Sequence, residues 1–323
     1  MVVLSMITKD TVERIGDKFF RLVLRSTLQV PYKSIILIDD SKNNATRQIV
    51  REFSKNYSKE LIISSTEELK GIKSRGFARQ MAIDLFLSNF SDDWLFFLDD
   101  DCIMKYGWWN EASQYIEQQD VGIIWGINWD LVPERKVLLS KLNIDYETDL
   151  INQFLIRGGT HDTLLRREAL KELNERNIRI PPELHILEDA YLFHSIRCLG
   201  YKFSVLKTGV IHLNINTIDA NVSKIHELLY LYTLYKYGIK AITIENTPWR
   251  NIISILRSLI GVPLNTYAAI IGNRRGAFTR VVARVRSRIR LKIIALKYLY
   301  KLGNPPKDIC EKILTERRKN GDT

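Results

Sequence analysis

The chain has 323 residues, enough for one large domain with an appendage or for two domains. Hydrophobic residues make up 46% of it and charged residues 26%, a composition that excludes wholesale disorder. The 3 cysteines are too few and too widely spaced for a disulfide framework or a zinc knuckle. The first residues, MVVLSMI, contain no basic segment and no cleavage site. We therefore expect a first strand there rather than a signal peptide, and a reducing, cytoplasmic environment.

The formal net charge of +11 is unevenly distributed along the chain. Residues 246–323 hold 17 Lys and Arg against 4 Asp and Glu, whereas residues 1–245 hold 31 against 33. We therefore expect a near-neutral catalytic or binding body at 1–246 and a basic C-terminal extension at 247–323.

Hydrophobic periodicity predicts alternating strands and helices over the first 100 residues. The predicted strands are residues 2–7, 34–38, 61–63 and 94–98, and the predicted helices are residues 11–28, 43–57 and 74–90. This order predicts an α/β fold with a mostly parallel sheet and helices on both faces. Ligands of such sheets bind at the carboxyl ends of the strands, where this chain has acids at 39–40 and 99–101.

Beyond residue 100 the pattern is less regular. It predicts strands at 121–125 and 203–206, a tight loop at 157–160, and helices at 166–176 and 188–199. The fold class therefore rests on the first 100 residues.

Three consecutive carboxylates, Asp99, Asp100 and Asp101, follow the predicted strand at 94–98. Hard oxygen ligands of this type bind Mg²⁺ or Mn²⁺, and the i, i+2 spacing directs Asp99 and Asp101 toward one metal ion. The alternative is a solvated acidic turn or a helix cap. For Asp39 and Asp40 the corresponding alternative is a turn or the N-cap of the next helix.

Five segments, taken together and in this order, resemble the motifs of the family 2 glycosyltransferases, which have the GT-A fold. Residues 35–41 (IILIDDS) resemble the VDDGS strand end, residues 76–82 (GFARQMA) the GxAxARNxG helix, and residues 94–104 (WLFFLDDDCIM) the LDxDD metal-binding segment. Residues 159–170 resemble the G…RREAL stretch, and residues 187–202 resemble EDxxLxxRLxxxGY. The resemblance covers roughly residues 1–215 and implies a GT-A (Rossmann-like) domain.

The resemblance implies a role for each matching residue. Asp189 would be the general base that deprotonates the acceptor hydroxyl, with Glu188 beside it. Asp99 and Asp101 would bind the metal and the donor diphosphate. His212 would be a further metal ligand, the alternative being a core or surface histidine. Donor-binding roles, including the contact of Asp39 with the base, are implied for Thr8, Asp39, Asp40, Arg79, Asp99 and Asp100.

Two aromatic residues and a loop complete the expected site. Trp108 and Trp109 could stack on an acceptor sugar, although an aromatic pair at the start of a helix is more typical of a core. Gly159 and Thr160 are expected on the acceptor side. The chain also departs from the family pattern: SMIT stands where PTYN is usual, and Cys102 stands where a further Asp is common. No QxxRW motif follows position 189, which argues against a processive polysaccharide synthase.

The expected activity is inverting, metal-dependent transfer of a sugar from a UDP- or GDP-sugar to a hydroxyl of a glycan or a lipid-linked acceptor, with Mg²⁺ or Mn²⁺ as cofactor. One alternative is a sugar-phosphate nucleotidyltransferase, which usually has a Gly-rich basic loop where this chain has TKD at 8–10. The other is a non-catalytic membrane or nucleic-acid adaptor on a decayed transferase fold. Intact Asp99, Asp101 and Asp189 argue against that decay.

The basic extension contains an amphipathic pattern. One face repeats apolar residues in steps of three or four: Phe278, Val282, Val285, Ile289, Ile293, Leu296 and Tyr300. Arginines crowd the first half: Arg280, Arg284, Arg286, Arg288 and Arg290. Such a helix is typical of proteins on anionic membranes, so we expect peripheral association with the cytoplasmic face of a membrane through 247–323. A helix that packs on the catalytic domain is the alternative, and nucleic acid is disfavoured because interleaved aromatic residues are missing.

Overall fold

The sheet of this protein is built outward from its first strand. The computed structural model describes residues 1–69, 74–130, 158–182, 184, 187–212 and the single positions 145, 148, 151, 256, 286, 289 and 310. The strands are β1 Val2–Thr8, β2 Tyr32–Asp39, β3 Glu60–Ser64, β4 Trp94–Leu98, β5 Cys102–Met104, β6 Val121–Asp130, β7 Asp162–Arg166 and β8 Lys202–His212. The helices are α1 Thr11–Ile15, α2 Asp17–Ser26, α3 Ala45–Asn56, α4 Arg75–Asn89, α5 Trp108–Ile116, α6 Arg167–Glu175 and α7 Glu188–Cys198.

The strands form one sheet in the order β3-β2-β1-β4-β7-β6-β8-β5. β1 is parallel to β2 and β4, and β2 is parallel to β3, which confirms the α/β fold expected from the first 100 residues. β7 is antiparallel to β4 and β6. Its first residue, Asp162, pairs with Leu98, the last residue of β4. β7 therefore begins at the edge where the parallel strands end, and this edge collects the polar residues of the fold.

Continuous apolar runs produce strands that are buried on both faces. All five residues of β4 are at most 1% exposed. On one face, Phe20 of α2 and Val50 of α3 belong to the hydrophobic cluster that includes Phe96. On the other face, α4 packs against β1 and β2. Burial of this kind is the main source of stability in a parallel sheet, and it fixes the strand ends that carry the site.

The single helix expected at 11–28 is two helices, α1 and α2, which are separated by Gly16. The φ of Gly16 is +85°, a backbone conformation that glycine adopts without a Cβ clash and that ends a right-handed helix. Periodicity did not reveal the break because apolar residues continue at Ile15 and Phe20 on either side. The consequence is that α1 is a separate short element beside the acidic segment that follows β4.

The two arginines at the junction of β7 and α6 have structural roles. Arg166 is 5% exposed and donates three hydrogen bonds of 2.6–3.0 Å to backbone carbonyls within residues 116–121. Arg167 donates to the carbonyl oxygens of Phe90 at 2.6 Å and Leu87 at 3.0 Å, at the C-terminal end of α4. The carbonyls at a helix end have no partner within the helix, so Arg167 satisfies groups that would otherwise lack one.

Replacement of Arg167 by Gln is expected to lower the free energy of unfolding by about 1–3 kcal/mol, because charged hydrogen bonds to the end of α4 are lost. Urea unfolding followed by circular dichroism measures this change. Arg51→Gln, at an exposed position on α3, is the matched control. Equal unfolding midpoints for the two variants would contradict the structural role of Arg167.

The chain divides into two compact units. One contains residues 1–129, 158–215 and 309–323, and the other contains residues 130–157 and 216–308. The boundary expected at 246 lies outside the described residues, as does nearly all of the amphipathic pattern at 278–300, and both stay predictions. In the part of the chain that the structure describes, no helix combines the length and the apolar composition needed to cross a membrane.

The cysteines form one pair that their spacing did not predict. Cys198, at the end of α7, is joined by a disulfide to Cys310, 112 residues further along the chain. Cys102 is a free, buried thiol. A single bond over so long a separation has no local sequence signature, so only the tertiary structure reveals it.

Candidate functional site

Asp39, at the carboxyl end of β2, is enclosed by partners from its own protein. It is 0% exposed. Its Oδ1 accepts hydrogen bonds from Thr8 Oγ1 at 2.6 Å and Ser41 Oγ at 2.5 Å. Its Oδ2 lies 2.8 Å from Arg47 Nε, close enough for an ion pair although not aligned as a hydrogen bond. Both carboxylate oxygens are buried in this arrangement, and the contact with a base that the resemblance implied for Asp39 stays a prediction.

Asp40 holds the loop after β3. Its Oδ1 accepts from Ser65 Oγ at 2.9 Å and from the backbone N–H of Thr66 at 2.8 Å, and its Oδ2 accepts from Thr66 Oγ1 at 2.6 Å. These bonds fix the short 3₁₀ helix Thr66–Leu69 beside the end of β2. The structure thus places Asp40 at the expected edge, in a role that positions a neighbouring loop.

The acids after β4 do not form a solvated turn. Asp100 and Asp101 are only 6% and 5% exposed. Asp100 accepts hydrogen bonds from Thr11 on one oxygen and from Arg14 on the other. A second nitrogen of Arg14 donates to Asp101 Oδ2 at 3.1 Å. Arg14 and Thr11 of α1 therefore fix Asp100 within the loop, and both oxygens that would have contacted a donor are occupied.

Asp101 and His212 form the best candidate for a metal centre. Asp101 Oδ1 lies 3.2 Å from His212 Nε2. The antiparallel pairing of β5 with β8 places Cys102 opposite His212, and ligand atoms of these three residues lie within 4.8 Å of one another. A carboxylate oxygen and an imidazole nitrogen suit Mn²⁺, whereas the Cys102 thiol is 0% exposed and packs in the hydrophobic core. The donor set that fits a metal ion is therefore Asp101 and His212.

The electrostatics of Asp101 keep its carboxylate ionised. Burial raises the pKa of Asp101, but its contacts with His212 and Arg14 outweigh burial and lower the pKa to about 2. The carboxylate is thus charged at any physiological pH and does not need to lose a proton before it binds a cation.

Arg79, on α4, connects the acids after β4 with those of α7. Its side chain is 7% exposed and lies over the ring of Phe97. Nη2 lies 3.2 Å from Asp99 Oδ1, and Nε lies 3.3 Å from Glu188 Oε1. The sequence implied a donor contact for Arg79; the structure makes it a buried ionic bridge between two acidic segments that are far apart in sequence.

Two acids open α7. Glu188 is 3% exposed, whereas Asp189 is half-buried and its Oδ1 accepts from the backbone N–H of Ala190 at 2.8 Å. Leu187, the N-cap, has a φ of +67°, in the left-handed region. Of the two acids, Asp189 is the one that a molecule in solvent can reach, because Glu188 is turned toward Arg79.

Glu188 titrates near neutrality. Burial, followed by the charge of Asp189, raises the pKa of Glu188 to about 7, and Arg79 offsets only part of this rise. A glutamate in an unfolded chain titrates near ~4.3. The folded state therefore binds a proton more tightly than the unfolded state, so the stability from protonated Glu188 is complete below the unfolded pKa and is lost as pH rises through 7.

We expect Glu188→Gln to remove this pH dependence, because a glutamine stays neutral. The free energy of unfolding of the unmodified protein should fall relative to that of the variant between pH 5 and pH 8, by about 1.4 kcal/mol for each unit of pKa difference. Urea titrations of both proteins at a series of pH values measure the difference. A constant difference across this range would show that Glu188 does not titrate there.

The loop before β7 lies against the start of α7. Gly158 has a φ of +73°, and a Cβ added to it would lie 2.9 Å from Phe193 Cβ and 3.1 Å from the carbonyl oxygen of Asp189. Glycine therefore permits this close approach. Gly159 and Thr160 follow and are buried, with the Gly159 carbonyl accepting from Thr163 Oγ1 at 3.0 Å. Their expected contact with an acceptor stays a prediction.

Sugar stacking does not fit Trp108, which corrects one of the two interpretations of the aromatic pair. Trp108 is 0% exposed, packs against Phe96 with ring centroids 4.9 Å apart, and donates from Nε1 to Asp162 Oδ2 at 2.8 Å. Trp109 is partly buried against the same core. The pair anchors α5 on the sheet, as the core alternative predicted.

Sequence reasoning missed His161 and Asp162, which lie beside the start of the acidic segment that follows β4. The backbone N–H of Asp99 donates to the carbonyl of His161 at 3.0 Å. His161 Nε2 lies 3.2 Å from the Gly126 carbonyl, and burial lowers the pKa of His161 to about 4, so the ring is neutral. Burial raises the pKa of Asp162 well above its usual range. Two adjacent titratable residues one position after the Gly158-Gly159 pair were the available signal.

A family model and several solved structures match this chain. The model of glycosyl transferase family 2 matches residues 17–173. No curated protein matches the chain in sequence. TarS 1–349 from S. aureus matches with a TM-score of 0.51 and 16% identity, over 99% of this chain and 92% of that chain. This similarity shows a shared fold.

Two further structures match less closely. A mycobacterial protein has a TM-score of 0.48 and 16% identity, over 74% of this chain and 75% of that chain. Glucosyl-3-phosphoglycerate synthase from Mycobacterium tuberculosis, solved with Mn²⁺, UDP-glucose and glycerol 3-phosphate, has a TM-score of 0.48 and 13% identity, over 74% of this chain and 80% of that chain.

Proposed function

We propose a specific reaction for this chain, which belongs to glycosyltransferase family 2. The family match confirms the expectation of a glycosyltransferase over the nucleotidyltransferase and adaptor alternatives. The proposed reaction is metal-dependent transfer of a sugar, with inversion at the anomeric carbon, from a nucleoside diphosphate sugar to a hydroxyl group of a glycan or a lipid-linked acceptor.

The observation that carries this proposal is the bridge made by Arg79. It joins the acidic segment after β4, through Asp99, to the start of α7, through Glu188. The segment that carries the candidate metal ligands and the helix start that carries the candidate base are therefore joined at the carboxyl edge of the sheet by one ionic bridge. A displacement reaction needs both, because one end of the site must stabilise a leaving diphosphate while the other activates a hydroxyl.

Each acid of α7 has a different proposed task. Asp189 accepts the proton of the acceptor hydroxyl as its oxygen attacks the anomeric carbon. The bond from that carbon to the diphosphate breaks on the opposite side, so the configuration inverts. Glu188 does not reach the acceptor, because it is buried against Arg79; it positions the first turn of α7 so that Asp189 faces solvent.

The residues present fit a divalent cation. A cation bound by Asp101 and His212, with Asp99 as a further oxygen ligand, would supply positive charge to the departing diphosphate. Arg14 bonds only Oδ2 of Asp101, and the other oxygen faces His212. The chain thus presents an ionised oxygen and an imidazole nitrogen together, which are suitable ligands for Mn²⁺ or Mg²⁺.

A screen of nucleotide sugars tests the proposal. The protein is incubated with UDP-glucose, UDP-N-acetylglucosamine or GDP-mannose, with Mn²⁺, with Mg²⁺ or with EDTA, and release of the nucleotide is measured. We expect at least one donor to be consumed only with the metal, and NMR of a transferred product to show an inverted anomer. A retained anomer would overturn the mechanism, and no consumption of any donor with either Mn²⁺ or Mg²⁺ would overturn the proposal.

We also propose that residues 247–323 hold the enzyme on the surface of an anionic membrane. The proposal rests on the composition of residues 246–323, which contain 17 basic and 4 acidic residues. Each basic residue near an anionic surface contributes about 1 kcal/mol of electrostatic attraction. Added salt screens this attraction and should weaken the binding. The full-length protein should sediment with vesicles that contain phosphatidylserine and should be partly released by salt. Equal binding to vesicles of phosphatidylcholine alone, or no binding to either, would refute the membrane role.

A further inference from the structure

We propose that Cys198 and Cys310 form a reversible thiol–disulfide exchange site. Through this site, the redox state of the surroundings decides whether the C-terminal end of the chain is covalently attached to α7, the helix that carries the candidate base. The two cysteines are joined in the structure. The inference goes beyond the proposed reaction and does not depend on it, so a failure to detect sugar transfer would leave it standing.

The fold brings the two cysteines together although they are 112 residues apart in sequence. Cys198 is the last residue of α7, and its Cα lies 5.0 Å from that of Cys310, within the range of about 4.4–6.8 Å that is usual for disulfides. The compact unit that contains α7 also contains residues 309–323, whereas residues 216–308 belong to the other unit. The chain thus returns to the unit of α7 at the point where the bond forms.

Burial separates this pair from the third cysteine of the chain. Cys198 and Cys310 are half-buried, whereas Cys102 is 0% exposed. Exchange begins when a thiolate attacks a disulfide sulfur, so an external thiol must be able to approach the bond. A small thiol can approach Cys198 and Cys310 but not Cys102. The exchange site therefore consists of the bonded pair, and Cys102 is not a competing partner.

The bond is attached to a helix that is also fixed at its other end. The first turn of α7 is held by the ion pair of Glu188 with Arg79, at 3.3 Å, and its last residue is held by the disulfide. Between these points α7 packs against α4 and α6. Without the disulfide, only the ion pair and this packing remain. The disulfide form is therefore the one in which the helix of the candidate base is held more firmly.

Formation of the bond is a two-electron oxidation, for which oxidised glutathione is the proposed oxidant. One cysteine thiolate attacks the glutathione disulfide and forms a mixed disulfide, and the other cysteine then displaces the glutathione. The two thiols lose two electrons and two protons, and the glutathione disulfide takes them up and becomes two thiols. Reduced glutathione reverses both steps. In a reducing compartment, as expected from the sequence, disulfides are usually transient and redox-sensing, which favours a reversible bond over a permanent one.

Peptide mapping of the full-length protein tests the exchange. The protein is equilibrated in buffers that range from reduced to oxidised glutathione, free thiols are blocked with iodoacetamide, and tryptic peptides are analysed by mass spectrometry without reduction. The peptides CLGYK (198–202) and DICEK (308–312) should be linked in oxidised glutathione and separately alkylated in reduced glutathione. A link that persists in reduced glutathione would show a permanent structural bond, and a link that never forms would show that the cysteines do not pair. Either result would overturn the inference.

Thermal unfolding then tests what the bond does for the fold. A link across 112 residues lowers the entropy of the unfolded chain, so the disulfide form should unfold at least ~3 °C above the dithiol form. Equal unfolding temperatures of the two forms would overturn the role of the bond in attaching the C-terminal end.

Serine variants separate the bond from the packing of each cysteine. Cys310→Ser should unfold at the temperature of the dithiol form and should not respond to a reductant, which makes it the control for the reductant itself. The double variant with Cys198→Ser should match it, because the two substitutions remove one and the same bond. Additive losses in the two single variants would show that each cysteine acts through its own contacts, and this result would overturn the inference.

Discussion

Replacement of Asp189 by Asn is expected to lower the rate of sugar transfer by about 10²- to 10⁴-fold while donor affinity stays close to that of the unmodified enzyme. The asparagine has nearly the same shape, and its Oδ1 can still accept from the N–H of Ala190, a bond of 2.8 Å in the structure. It cannot take the proton of the acceptor hydroxyl, and loss of a general base typically has an effect of this size.

Steady-state kinetics with varied donor measures both quantities for Asp189→Asn. Glu168→Gln, which removes an exposed acid from the first turn of α6, is a matched control that should have normal kinetics. If the donor affinity of Asp189→Asn fell and kcat held, Asp189 would belong to the donor site and the proposed base would have to be sought elsewhere.

Replacement of Asp101 by Asn is expected to abolish the metal-dependent part of donor binding and to lower turnover by at least ~100-fold. A bound cation stabilises the transition state by several kcal/mol, and each 1.4 kcal/mol corresponds to a factor of ten. The neutral amide is a poor cation ligand but fills the same space beside Arg14 and His212. Alanine is a less suitable test, because Asp101 is 5% exposed and its removal would leave Arg14 without one of its partners.

Binding of Mn²⁺ to Asp101→Asn, followed by electron paramagnetic resonance, tests the assignment independently of turnover. Asp92→Asn, just before the opposite end of β4, is the control and should bind Mn²⁺ normally. Normal Mn²⁺ affinity in Asp101→Asn would show that the pair of Asp101 and His212 is not the metal centre.

The acids of the candidate site were predictable from the sequence because each follows a recognisable element. Asp39 ends β2 and Asp99 directly follows β4, both after continuous apolar runs, and Asp189 lies in the first turn of a periodic helix. The carboxyl ends of parallel strands meet at one edge of a sheet, so the α/β pattern alone places the acids that follow β2 and β4 close together.

The partners of those acids were not predictable in the same way. Arg14 reaches Asp100 across 86 residues, and Arg79 reaches Glu188 across 109. Neither arginine has a local pattern that distinguishes it from the other arginines in the chain. Arg47 is only eight residues from Asp39, yet a basic residue in the first turn of α3 indicated no partner. Tertiary structure, rather than spacing, decides which cation neutralises which buried acid.

The same limit applies to Asp39, Asp100 and Trp108. A motif shows that a polar or aromatic residue stands at a strand end, but not how many of its atoms the protein itself already uses. Asp39, Asp100 and Trp108 are 0%, 6% and 0% exposed, and their contacts within the protein hold loops and helices in place. Gly16 divides a continuous amphipathic pattern into α1 and α2, so that α1 is a separate element beside the acidic segment that follows β4.

The bridge formed by Arg79 also has a consequence for the cooperativity of this enzyme. A buried guanidinium between Asp99 and Glu188 is stable only when α4, the end of β4 and the start of α7 are all in place. A partly unfolded chain in which α7 has detached would leave Arg79 and Glu188 without each other as ionic partners. We therefore expect loss of activity and loss of tertiary structure to coincide in a denaturant titration. The fraction of a soluble preparation that is folded would then also measure the fraction that is active.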